Sequence, residues 1–351
     1  MRLITRQTAL AAVGAVMLCG SLAFADAAEI RVLNWQGYGT DESFAVDAFA
    51  KKTGNTVVHD YFTSEQEMLT KLRTNPGAYD VVLVNSAFVK QAKDEGLIAK
   101  IDTSDMPNVK DLSPNLGKEP NLVVGGDTYG VAWTWGVTSL TVNKDKVSPL
   151  PTSLAVLWDP QYAGKVSIRD DGIEAIQFAA LATGQDINDP KDLDAIKAKL
   201  KALMPQVKAF WGSENDWNQF FSAGDFYVST YWSGGAGRSI AKGLPLKFIV
   251  PTEGAVGWLD SLAIPTASKN QAAARAFINY MIDPEFYVQW AAKGSPMSAN
   301  AKAAAALPDT SFNKVTLGDP AVVARVHFVK PLSEDTRKKY LELWQDMKAR
   351  Q

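Results

Sequence analysis

The stretch Gly257-Trp258-Leu259-Asp260-Ser261-Leu262-Ala263-Ile264-Pro265 places one carboxylate beside one large aromatic in an otherwise apolar run. Burying an unpaired carboxylate costs several kcal/mol, so Asp260 needs either a protein partner, as a salt bridge or strand-end cap, or a cationic ligand. A second acidic set, Asp170-Asp171-Gly172-Ile173-Glu174, has capping-box spacing between Asp171 and Glu174, in which each side chain satisfies a backbone donor at a helix start. Those two carboxylates, at the carboxyl end of a strand, could instead share one ammonium group. Ten tryptophans and ten tyrosines serve the core, and also offer faces for a cation or an alkyl chain. The chemistry these residues suit is capture of a cation.

Nucleophilic and metal chemistry have little to work with. His59 and His327 are the only histidines, far apart in sequence, and the single cysteine is Cys19; metal and nucleophile sites need more such groups close together. Trp232-Ser233-Gly234-Gly235-Ala236-Gly237-Arg238 lacks the lysine and hydroxyl of a P-loop and the spacing of a dinucleotide fingerprint. It is expected to be a tight strand-to-helix turn whose glycines admit a close approach of the backbone. Tyr231 stands where a nucleophile elbow needs glycine, which makes Ser233 a poor catalytic candidate. No catalytic residue, metal or cofactor is expected.

The elements that must position these groups read as α/β. Strands are expected at 29–35, 56–61 and 79–84, separated by helices at 41–52 and 65–73, which implies a parallel sheet. Ligand sites lie beyond the carboxyl ends of such strands, here Trp35-Gln36-Gly37-Tyr38 and Asn85-Ser86-Ala87-Phe88, making Trp35, Tyr38 and Ser86 candidates. Residues 129–143 form an apolar run without helical period, long enough for a strand passing between domains. A second set follows: strand 166–168, helices 173–183 and 193–203, strand 226–231, helix 238–242 and strand 246–250. The stretch 257–265 reads as a buried strand leaving the sheet, because proline marks its end. Helix 271–282 should pack back on the first domain. In the tail, 334–348 is an amphipathic helix with Tyr340, Leu341, Trp344 and Met347 on one face. Crossings near 136, 262 and 308 then give two discontinuous lobes, 29–136 plus 262–307 and 137–261 plus 308–351, joined by a hinge around a cleft.

Arg2 and Arg6 followed by an alanine-rich apolar segment and small residues near Ala25–Ala28 read as a signal peptide, residues 1–28, with Glu29 near the mature start. Removal of that segment would take Cys19 with it, which suits an exported chain held by its core rather than by disulfides. About three hundred residues suffice for two cores. The formal net charge is −2 and no basic stripe is present, so nucleic acid is not an expected partner.

Asn34-Trp35-x-x-Tyr38, Tyr79-Asp80-Val81-Val82, Trp135-Gly136, Leu157-Trp158-x-Pro160-x-Tyr162-x-Gly164, Asp170-Asp171-x-x-Glu174, Leu203-Met204-Pro205 and Trp258-x-Asp260-Ser261-Leu262-Ala263-Ile264-Pro265 together resemble the periplasmic spermidine/putrescine-binding proteins of ABC importers, collinearly from Glu29 to the C-terminus. The resemblance implies a two-lobed, type II-like periplasmic binding protein fold, a periplasmic location, a monomer, and a membrane permease as partner. It implies a polyamine in the cleft, with Trp35 and Tyr38 in one wall, Trp232 and Trp258 as plates for the methylene chain, and Asp171, Glu174 and Asp260 as ammonium acceptors. The chain also departs from the family pattern. Gly37 and Gly235 stand where relatives of this type carry acids, and Ala87 and Ser295 where spermidine binders have tyrosines, which weakens the case for a long polyamine. Arg238, or failing that Arg169, could fork a carboxylate. The alternative ligand is then an ω-amino acid such as γ-aminobutyrate.

Overall fold

The computed structural model describes residues 27–349. The expected signal peptide therefore lies outside the described residues, save for its last two positions. The chain begins with β1 (Glu29–Asn34), a helix Ser43–Thr53, β2 (Thr56–Tyr61), a helix Glu65–Thr74 and β3 (Val81–Asn85). β1 pairs in parallel with both β2 and β3, and Val81, Val82, Leu83 and Val84 are all buried, as the continuous apolar run of a doubly covered parallel strand requires. A short hairpin of β4 (Val123–Val124) and β5 (Asp127–Thr128) leads into β6 (Val131–Asn143), buried along its whole length.

The second set comprises β7 (Val166–Arg169), helices Gly172–Ala182 and Leu193–Leu203, β8 (Val207–Trp211), helix Glu214–Ala223, β9 (Val228–Trp232), helix Ser233–Ala241 and β10 (Leu246–Ile249). Then come β11 (Ala255–Ala263), helices Gln271–Met281 and Pro284–Ala291, β12 (Met297–Ser298), β13 (Val326–Phe328) and the terminal helix Glu334–Lys348. The main sheet runs β2-β1-β3-β11-β6-β9-β7-β8. β11 and β6 are antiparallel neighbours, standing between the parallel trio β2-β1-β3 on one side and the parallel trio β9-β7-β8 on the other. Their ladder shifts register between Asp260 and Ser261, which is where a bulge would bend the strand and re-aim its side chains.

Two buried clusters support this frame. One gathers Leu140, Val166, Ile168, Ile176, Phe178, Leu200 and Val228, and is closed by Tyr340, Trp344 and Met347 of the terminal helix. Ser333 caps that helix by accepting from the Thr336 N–H, and Asp170 anchors its far end, accepting from Trp344 Nε1 at 3.0 Å and Lys348 Nζ at 2.7 Å. The larger cluster joins the first-lobe sheet to an aromatic group in which Trp217 stacks on Tyr231 at 3.8 Å. Phe277 of helix Gln271–Met281 meets Phe49 of helix Ser43–Thr53 at 5.1 Å, so that helix does pack back on the first domain.

Three local expectations need correcting. Leu341 is 44% exposed, because it sits one residue, about 100°, round the helix from Tyr340 and off the buried face. The segment after β9 is not a turn, since its helix starts at Ser233 and contains the glycines. They serve packing: a Cβ on Gly235 would lie 2.6 Å from the Tyr231 ring, and one on Gly237 2.9 Å from the Phe312 ring. Finally, β8 and helix Glu214–Ala223 occupy a span for which no element was expected. That helix carries a true capping box, Ser213 with Asp216.

Candidate ligand-binding site

β1 ends in Asn34, whose side chain holds the following loop by donating to Thr40 Oγ1 at 2.6 Å and to the Tyr38 carbonyl at 3.1 Å. Gly37 and Gly39 both have positive φ, and a Cβ on Gly39 would strike the Trp290 ring at 2.5 Å. So folded, the loop turns the Tyr38 ring edge-on to Trp133 and Trp290, at 5.5 and 5.8 Å. The Tyr38 hydroxyl donates to Asp260 Oδ2 at 2.8 Å. From β3, which pairs Asn85 opposite Asp260, the Asn85 amide donates to Asp260 Oδ1 at 2.9 Å while its carbonyl oxygen caps helix Ser86–Asp94.

Asp260 is 7% exposed, and among the described residues no Lys, Arg or His forms an ion pair with it. Burial pushes its carboxyl up to about 6, against the pull of the Tyr38 and Asn85 hydrogen bonds. Glu65, at the start of helix Glu65–Thr74, is a further acid beside it. Burial, together with the Asp260 charge, pushes Glu65 up to about 8, opposed by the Asn85 N–H and Arg337, and its buried Oε2 has no hydrogen-bond partner. The sequence pattern puts Asn85 at a strand end without giving it a partner, and nothing in it singles out Glu65. A glutamate in a first helical turn is fully explained by the helix dipole, and only the β3–β11 register brings Asn85 to Asp260.

Trp258 precedes Asp260 by two residues and shares its face of β11. Its ring crosses the bare backbone of Gly136, its partner in β6, where a Cβ would fall 2.5 Å from Trp258 Cζ2. The buried Nε1 has no partner. Trp258→Ala and Gly136→Ala, the second by displacing the ring, are each expected to weaken ligand binding at least tenfold in titration while thermal unfolding stays cooperative. His327 lies exposed on β13, and His327→Ala should leave affinity within about twofold, the cost range of a neutral surface change.

The second acidic set is arranged differently. Asp171 caps helix Gly172–Ala182, accepting from the Ile173 and Glu174 N–H groups at 3.0 and 3.1 Å. The capping box is only half made, because the Glu174 side chain turns to Arg169. Arg169 Nη1 lies 3.4 Å from Asp171 Oδ2 and 3.4 Å from Glu174 Oε2, with its guanidinium 5.0 Å from the Trp232 ring centre. Glu174 is 7% exposed, and its Oε1 is buried without a partner. Burial pushes it up to about 7, with Arg169 opposing and Asp171 reinforcing the rise.

Arg238, which faces Tyr38, already has protein partners. Its Nε donates to Glu214 Oε1 at 2.9 Å, its Nη2 pairs Glu214 Oε2, and its Nη1 donates to the Gly294 carbonyl at 2.7 Å. Its partner Glu214 opens the helix that was not expected, so this pairing was not legible either. Trp35 sets its ring edge against Phe62 at 4.5 Å, and Ser86 is buried at the first position of its helix. Arg337 of the terminal helix lies over the Phe88 ring at 4.7 Å and faces both Glu65 and Asp171. It thus stands between the two acidic sets, beside a groove of about 850 Å³ formed by helices Ser86–Asp94 and Glu334–Lys348. Ser233 is fully buried, its Oγ accepting from the Val137 N–H at 3.3 Å. Among the described residues no three His, Cys, Asp or Glu converge as a metal site, and no helix is long and apolar enough to cross a membrane.

Two α/β sets joined through β6 and β11 give the two-lobed fold of periplasmic binding proteins. Residues 45–316 match the family model of bacterial extracellular solute-binding proteins, and the chain belongs to that family. It is 33% identical to the spermidine/putrescine-binding periplasmic protein of Salmonella typhimurium, over 97% of each chain. The solved spermidine/putrescine ABC transporter substrate-binding protein PotD of Streptococcus pneumoniae superposes with a TM-score of 0.82 at 24% identity, covering 92% of this chain and 99% of that one. A solved GABA receptor shares the fold as well, with a TM-score of 0.73 at 22% identity, covering 92% of this chain and 97% of that one.

Proposed function

We propose that this chain is the periplasmic receptor of an ABC importer, capturing a small linear aliphatic amine in its cleft and delivering it to a membrane permease. The observation that carries this reading is Asp260, a buried carboxylate oriented by Tyr38 and Asn85 and lacking a cationic partner among the described residues. An ammonium group completes that arrangement, with Trp258 alongside. Charge-assisted hydrogen bonds contribute about 1.5–3 kcal/mol each and a desolvated cation over tryptophan about 2 kcal/mol. A few such contacts, less ordering costs, reach the roughly 8 kcal/mol of micromolar binding. Chemical conversion is not needed, and Ser233 is already engaged by the backbone. The lobes 29–136 with 262–307 and 137–261 with 308–351 would close on the ligand by rotation about β6 and β11.

The relatives' names make spermidine and putrescine the first ligands to test. An ω-amino acid is the second reading, and the observation favouring it is the guanidinium of Arg169, 3.4 Å from both Asp171 and Glu174, with Arg337 also facing Asp171. Calorimetric titration of the purified mature protein with putrescine, spermidine and γ-aminobutyrate should show saturable binding of at least one. Silence from all three would overturn the amine assignment.

A further inference from the structure

The two acidic sets differ in electrical state. Among the described residues, Asp260 is hydrogen-bonded only by neutral groups, Tyr38 and Asn85. Asp171 and Glu174 instead share a guanidinium, with Arg169 Nη1 at 3.4 Å from each and the Trp232 ring at 5.0 Å. Two carboxylates at the head and an indole face alongside are what an alkylammonium would need at this place. We infer that Arg169 is the resident occupant of the second cation seat, so that the cleft takes one ammonium from its ligand, at Asp260, and presents a guanidinium to a carboxylate at the ligand's other end. This deepens the receptor reading and rests on it.

A second ammonium entering this seat would have to break both contacts of Arg169 and leave two cations side by side, and like charges repel. Arg169 engages them through Nη1 alone, leaving its Nη2 and Nε donors for a ligand, and a guanidinium fork matches a carboxylate geometrically. Arg337, without an ion pair among the described residues, adds positive charge on the same side. The ligand class that fits is a linear ω-amino carboxylate.

Putrescine and γ-aminobutyrate, both four-carbon chains, separate the two cases. In calorimetry at pH 7.5, the wild-type protein should bind γ-aminobutyrate at least tenfold tighter than putrescine. Arg169→Gln should reverse that order, and Arg169→Lys, which keeps the charge, should preserve it. Wild-type protein preferring putrescine tenfold or more would overturn the inference while sparing the receptor reading, whether or not the glutamine variant folds. An Arg169→Gln protein that melts as the wild type does and keeps its preference would overturn it equally. No binding of either probe, or of spermidine, would sink the receptor reading and this inference together.

Discussion

Asp260→Asn should lower affinity for the bound amine at least tenfold and at the same time make the unliganded protein more stable. The amide keeps the volume and can still accept from Asn85, so the site's shape persists. What disappears is the charge that turns an ammonium contact into a charge-assisted one, and 1.4 kcal/mol of that is already tenfold. The stability effect has the opposite sign. Burial raises the folded-state carboxyl from an ordinary value near 4 to about 6, so the folded protein holds its proton more tightly than the unfolded chain does. This group's contribution to wild-type stability is therefore fully present below pH 4 and is lost as pH rises from about 4 to about 6, by on the order of 2–3 kcal/mol. The asparagine variant lacks that decline. Calorimetric titration and thermal melts at pH 7.5 test both halves, and a variant that binds normally would make the carboxylate structural.

Amine binding should weaken at least tenfold between pH 8 and pH 5. Three acids ionise only at unusually high pH: Asp260 at about 6, Glu174 at about 7 and Glu65 at about 8. A ligand cation requires ionised Asp260, so below about pH 6 each further unit costs close to tenfold. Above pH 6 the change is shallower, because Glu65 faces Asp260 and Arg337 without being the principal acceptor. Binding at pH 6 to 7 should also release protons, seen as a dependence of the measured heat on the buffer's ionisation enthalpy. Equal affinities at pH 5 and pH 8 would contradict the burial of Asp260 and remove the basis for its role.

Much of this was legible in the sequence because it rests on short-range pattern. The parallel β1, β2 and β3, the long β6, and helices Leu193–Leu203 and Glu334–Lys348 follow from apolar spacing and end signals. Asp260 could be picked out because an acid in an apolar strand is costly whatever surrounds it. What surrounds it could not be read, because Asn85, Tyr38 and Thr134 lie 126 to 222 positions away and meet it only through sheet order. The pairing of Asp171 and Glu174 with Arg169 is local, yet a capping box explains the same spacing. The ion pair of Arg238 could not be read either, as its partner Glu214 lies on a short helix for which no element was expected.

The slip between β11 and β6 falls immediately after Asp260, where the two strands that tie the halves of the molecule together are least regularly laced. On the proposed rotation, the residue that grips the guest therefore stands at the fulcrum rather than at the rim. A charge neutralised there acts on the pivot itself, so gripping and shutting become one mechanical event. Guests that miss this point, however well they fill the outer groove, should leave the jaws ajar.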